Sequence, residues 1–174
     1  SSGGVFTLIA EQILADGGVV FGARFNENWV VIHDYTETVE GLEAFRGSKY
    51  VQSVIDDNYK YAKQFLLEGR KVLFSGTPCQ IAGLKKYLQK EYENLLTLEV
   101  VCHGVPSPKV WRDYLKFSKN NFKEKVKELS SEGNLDISNV TFRDKANGWK
   151  NYNVKISYSH DNVNNSSLSC NLNE

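Results

Sequence analysis

Two short apolar runs, each giving way to a glycine- and proline-marked turn that carries a cysteine, constrain this chain more than anything else in it. The first reads Val72-Leu73-Phe74-Ser75-Gly76-Thr77-Pro78-Cys79-Gln80 and the second Leu98-Glu99-Val100-Val101-Cys102-His103-Gly104-Val105-Pro106-Ser107-Pro108. Between them lies a helix-length segment with Ile81, Leu84 and Leu88 on one face. Short buried strands alternating with helices specify an α/β core with parallel strands. The carboxyl ends of such strands line the edge where cofactors bind. Two thiols delivered to one edge point to redox or metal chemistry.

The flanking segments extend this core. Ser2 is placed to cap a helix with Val5, Leu8, Ile9 and Ile13 on one face, and Gly17-Gly18 ends it. Residues 19–25 read as a strand, Asn26-Glu27-Asn28 as a turn, and residues 29–33 as the returning strand of a hairpin. A short helical piece is expected near residues 39–45. A helix with Ile55, Tyr59, Ala62 and Leu66 on one stripe follows and stops at Gly69. Residues 71–74 and 95–101 are the two buried strands. Ser107-Pro108 then opens a long helix whose stripe is Trp111, Tyr114, Leu115, Phe122 and Val126, with serine as cap and proline at the first helical position. Residues 137–143 and 152–158 alternate apolar and polar side chains, as half-solvated antiparallel strands do, and a turn at residues 145–148 lies between them. The expected fold is therefore a single α/β domain over residues 1–174, a mixed sheet with parallel core strands flanked by helices and added antiparallel strands.

Composition removes several function classes. With 21 basic and 21 acidic residues the net charge is zero, so nothing draws the chain to nucleic acid or to an anionic membrane. No apolar run reaches the length of about 18 residues that a membrane span needs, and the stretch over residues 5–14 is broken by Thr7, Glu11 and Gln12, unlike a signal peptide. Three cysteines in 174 residues do not form a disulfide framework. The chain reads as cytoplasmic, with reduced thiols. It starts without methionine and closes on an Asn/Ser-rich stretch, which reads as a fragment of a longer protein.

Four segments carry candidate chemistry. In the Gly76-Thr77-Pro78-Cys79 turn, the backbone N–H groups and dipole of the following helix favour an anion at Cys79, which makes its thiol a better nucleophile or metal ligand. The same turn also suits an inert, buried cysteine. Cys102 and His103 are adjacent on extended chain and so face opposite ways, which argues against one ion held by both. Ser2, Gly3 and Gly4 ahead of a helix could cradle a phosphate. Arg46, Ser48, Lys49, Tyr50 and Gln52 put two cations, a hydroxyl and an aromatic face into one loop, a constellation suited to a flat phosphorylated cofactor and equally to a solvated surface. The spacing of Cys79 and Cys102 fits no zinc pattern, and Cys170 reads as incidental.

Taken in order, SSGGVFT, FRGSKYVQS, VLFSGTPCQIAGLKKYL, VVCHGVPSPKVW and FRDKANGW resemble the catalytic region of the beta subunit of coenzyme F420 hydrogenase and dehydrogenase. The resemblance implies an oxidoreductase subunit with FAD and a [4Fe–4S] cluster. It would exchange electrons with coenzyme F420 or another soluble hydride carrier and with other redox subunits or domains. It implies that Cys79 and Cys102 are cluster ligands, that the Ser2-Gly3-Gly4 turn serves the FAD pyrophosphate, and that the loop from Arg46 to Gln52, with Gly76 and Thr77, serves its ring. It also implies a further cysteine pair beyond this chain, since a [4Fe–4S] centre takes four thiolates, and leaves the isolated fragment inactive. Two other readings stand beside it: a thiol enzyme with Cys79 as nucleophile, and a non-catalytic partner module of a redox complex.

Overall fold

The computed structural model describes residues 4–127, 135–144 and 153–160, which divide into two compact units at the Pro108/Lys109 boundary. The first unit is built on strands β1 (Val19–Phe25), β2 (Val31–Thr36), β3 (Val72–Gly76) and β4 (Leu95–Glu99), in sheet order β2-β1-β3-β4. The β1–β2 pair is an antiparallel hairpin, whereas β1–β3 and β3–β4 are parallel, with Val19 opposite Val72 and Val72 opposite Leu95. This is the mixed sheet with a parallel core that the apolar runs predict.

Side chains alternate across the sheet, as the two-residue period of a strand requires. Val19, Phe21, Val72 and Phe74 face one layer, where Ala62 and Leu66 of α2 (Asn58–Leu67) join Ile81, Leu84 and Leu88 of α3 (Pro78–Leu88). Val20 and Leu73 face the other, against Ala10 of α1 (Val5–Ala15) and Leu42 and Phe45 of a 3-10 turn at Glu40–Phe45. Because both faces of β3 are covered, all five of its residues are buried.

Ile55, expected on the stripe of the second helix, lies before α2, which begins at Asn58, and three further expectations shift. In α1 Ala10 is buried and Phe6, Ile9, Ile13 and Leu14 pack partly buried beside it, while Val5 and Leu8, expected on the packed face, are exposed. Strand β2 begins at Val31, two residues late. The Asn26 side chain accepts the N–H groups of Asn28 and Val30, and Trp29 takes a left-handed φ of 58°, so the turn absorbs Trp29. Strand β4 is not fully buried. It is the sheet edge, with Leu96 exposed, and Val100 and Val101 lie beyond its end on the surface.

The junction of α1 and β1 is the tightest backbone approach in this unit. Gly17 (φ 74°) donates to Leu14 O and Gly18 to Ile13 O, closing the helix. A Cβ on Gly18 would lie 2.7 Å from the carbonyl oxygens of both Ile13 and Lys71. Gly18→Ala is therefore expected to destabilise the protein by about 1–3 kcal/mol, the usual cost of overpacking, read as a lower midpoint in urea unfolding.

The second unit comprises α4 (Pro108–Lys127) and the antiparallel pair β5 (Leu135–Asp144) and β6 (Asn153–His160). Trp111 and Leu115 of the helix are buried, as are Leu135, Val140, Ile156 and Tyr158 of the hairpin. Phe122 stacks on Tyr158 with ring centroids 4.5 Å apart, and the Tyr158 and Ser118 hydroxyls are 2.6 Å apart. The expected turn at residues 145–148, Gly3 and Cys170 lie outside the described residues, and the cap position of α1, expected at Ser2, is Gly4, which has φ 70° and makes no side-chain cap bond.

Candidate functional site

The site grows from the carboxyl ends of β3 and β4. At the end of β3, Thr77 is extended (φ −71°, ψ 159°) and Pro78 occupies the first position of α3, where its missing N–H costs nothing. The Thr77 N–H donates to Gln80 Oε1 at 3.0 Å, which ties the turn to the first turn of the helix. Cys79 follows as an exposed free thiol, its Sγ 3.1 Å from Thr77 Oγ1. A side chain at Gly76 would press on Gln80, with its Cβ 3.2 Å from Oε1. From β4, the Val100 N–H donates to Gly76 O at 2.8 Å and the chain then turns outward. There the exposed Cys102 Sγ receives the Gly104 N–H at 3.4 Å, and Gly104 has φ 109°.

Cys79 and Cys102 line one cavity of about 520 Å³. Of the other candidate residues, Arg46, Ser48, Lys49, Gln52, Gly76 and Thr77 line it too, whereas Gly4 and Tyr50 lie outside that wall. The Gln52 N–H donates to Pro106 O at 3.2 Å, so the basic loop and the Cys102 loop are joined across the mouth. Lys49 Nζ donates to Ala44 O at 2.8 Å and to Arg46 O at 3.0 Å. Burial pushes its pKa down to about 8. The Arg46 guanidinium is half exposed, 3.9 Å from Glu11. Phe6 and Thr7 of α1 complete one side of the wall, next to the start of that helix.

The inner wall holds groups the sequence reading missed. His33 of β2 is buried, stacked on Phe74 at a centroid distance of 5.3 Å. Its Nε2 lies 2.9 Å from Ser75 O and its Nδ1 2.8 Å from Ser53 Oγ. Gln80 Nε2 donates to the same Ser53 Oγ at 2.8 Å. Burial lowers the imidazole pKa below its usual value, and the bond to the Ser75 carbonyl offsets part of that. His33, Ser53, Ser75 and Gln80 all line the cavity, while His103 is exposed and outside it. A signal for His33 did exist: it alternates with Val31 on the inward side of β2.

The chemistry available is a mostly apolar slot with cations at its mouth, two thiols on one wall and neutral hydrogen-bonding groups at its inner end. The slot suits a flat ring with an anionic tail. For an iron–sulfur cluster the cavity lining offers two thiols, and among the described residues no group of three or more His, Cys, Asp or Glu could hold a metal ion. No helix among the described residues is long and apolar enough to cross a membrane.

Residues 69–172 match a family model for the C terminus of the coenzyme F420 hydrogenase/dehydrogenase beta subunit. The chain is similar to a coenzyme F420-dependent sulfite reductase of Methanocaldococcus jannaschii, 32% identical over 147 residues. That match covers 79% of this chain and 22% of that protein, so the chain spans about a fifth of the length of its curated relative.

Proposed function

Because the chain belongs to the coenzyme F420 hydrogenase/dehydrogenase beta-subunit family, we propose that it is the flavin-binding part of an oxidoreductase subunit. In this reading it holds FAD in the cavity, contributes Cys79 and Cys102 to a [4Fe–4S] cluster, and exchanges electrons with a soluble hydride carrier such as coenzyme F420. One observation carries the proposal: thiols on the two turns that follow adjacent parallel strands line a single cavity of about 520 Å³ with the basic loop.

Each residue's part follows from its chemistry. Arg46 and Lys49 offer positive charge to the FAD pyrophosphate at the cavity mouth, with the start of α1 behind Ser2, Gly3 and Gly4 as a second anion-favouring element. Ser48 and Gln52, which line the cavity, supply hydrogen bonds beside the ring, whereas Tyr50 lies outside the wall and takes no part in this reading. Gly76 keeps the inner wall free of a side chain, and Thr77 orients the Cys79 turn. Bound FAD would supply the exchange between one-electron and hydride chemistry, which no side chain provides. The cluster would take Cys79 and Cys102 with two further thiolates.

A thiol enzyme built on Cys79 is less well supported. The histidine in the cavity wall is committed to Ser53 and Ser75, and the Cys79 sulfur has the Thr77 hydroxyl, not an imidazole, beside it. The proposal is tested by the visible spectrum of full-length protein purified without oxygen. A flavin band with a broad iron–sulfur shoulder, both bleached by dithionite, is expected. A colourless protein that takes up no FAD on titration overturns the reading.

A further inference from the structure

The donors and acceptors around Ser53 can be assigned one by one. The Ser75 carbonyl only accepts, so His33 Nε2 carries the hydrogen at that 2.9 Å contact. In the neutral ring Nδ1 is then a lone pair, and the Ser53 hydroxyl must donate to it. The Gln80 amide is oriented by its other end, where Oε1 accepts the Thr77 N–H, so Nε2 donates to Ser53 Oγ. The hydroxyl thus has its hydrogen bound and one lone pair filled. One lone pair is left, on a residue that lines the cavity. The buried His33 and its stack on Phe74 hold the arrangement in place.

Resting on the reading of the cavity as an FAD site, we propose that Ser53 is the cavity's hydrogen-bond acceptor for the flavin ring edge and that His33 is the positioning residue that makes it one. An acceptor here discriminates between redox states. The ring edge of oxidised flavin presents mainly acceptors, whereas the reduced ring gains N–H donors. N3–H is a donor in both states, so the discrimination arises with Ser53 facing N5 or N1: there a contact that can only accept pairs with the N–H gained on reduction and opposes a lone pair when the ring is oxidised. The inner wall becomes a device that favours reduced cofactor. It is built from neutral groups and is separate from the cations at the mouth, which bind both redox states through the same pyrophosphate.

The test measures the affinity of full-length protein, stripped of flavin and kept anaerobic at pH 8, for oxidised FAD and for dithionite-reduced FAD. Loss of one hydrogen bond of about 1.4 kcal/mol corresponds to a tenfold change in affinity. Ser53→Ala is accordingly expected to weaken reduced FAD by about tenfold and oxidised FAD by less than about twofold, with far-UV circular dichroism retained. Ser53→Thr, which keeps the hydroxyl, should restore the preference. His33→Phe, which keeps the stack on Phe74 but frees the hydroxyl's hydrogen, should shift preference toward the oxidised ring. Equal losses for both redox states in Ser53→Ala, or no change in either, overturn the proposal. If the unmodified protein binds neither form, it is the flavin reading that fails.

Discussion

Replacing Cys79 with serine in the full-length, anaerobically purified protein is expected to remove most of its iron and acid-labile sulfide while leaving the far-UV circular dichroism unchanged. A [4Fe–4S] centre is held by four thiolates, and serine is a poor substitute for any of them. The fold should not notice the change. The Cys79 thiol is exposed, and the turn that presents it is fixed by other groups: Pro78 at the helix start, the Thr77 N–H on Gln80 Oε1, and Gly76 O on the Val100 N–H. Cys102→Ser should behave alike. Iron at wild-type stoichiometry in Cys79→Ser would reject the ligand assignment. Loss of turnover with iron retained would point instead to thiol chemistry.

Lys49 gives the second large effect, and its sign can be worked out. Burial holds its pKa near 8, so the ammonium is charged below that pH and neutral above it. FAD affinity should be flat below pH 8 and fall as pH rises beyond it, because the pyrophosphate is drawn to the charged form. Lys49→Met should lower affinity by about tenfold at pH 7, the worth of a charge-assisted hydrogen bond, and abolish the decline above pH 8. Stability runs the other way. A lysine whose folded pKa lies below its unfolded value stabilises the fold only when neutral, and that contribution is lost as pH falls through about 8. At pH 7 the flavin-free Lys49→Met protein should therefore be no less stable than wild type by urea unfolding, despite losing its bonds to the Ala44 and Arg46 carbonyls. A loss of stability equal to the loss of affinity would mean that Lys49 only holds its loop together.

Much of the architecture was legible in the residues because it depends on local rules. The bounds of β1, the buried run of β3 and the start of α4 follow from continuous apolar stretches and from proline at a helix start, whereas Pro78, read as part of a turn, itself opens α3. The edge position of β4 was not legible. Apolar composition reports that a strand has something to bury, but not whether a neighbour lies on its far side. The basic loop and the two cysteine turns each stood out by residue type, and only the family resemblance joined them into one site. His33, Ser53 and Gln80 were not, because His33 meets partners 20 and 42 positions away and each of the three looks ordinary in its own segment. Polar groups that matter through a hydrogen-bond chain leave no signature until the fold closes it.

The ladder between β3 and β4 bears on the proposed electron transfer. The strands stay in register from Val72 opposite Leu95 to Gly76 opposite Glu99, and the Val100 N–H adds a last rung on Gly76 O. Adjacent strands lie about 4.8 Å apart, so the points from which the two thiol-bearing turns depart are gauged by backbone rungs. Neither thiol lies on a strand, but Cys79 in the first turn of α3 and Cys102 three residues past β4 both leave from this fixed base. A redox centre gripped from such points would change charge with little movement of its surroundings. In the proposed role the reorganisation energy of each electron transfer would then be small, set by main-chain rungs and not by the side chains that line the cavity.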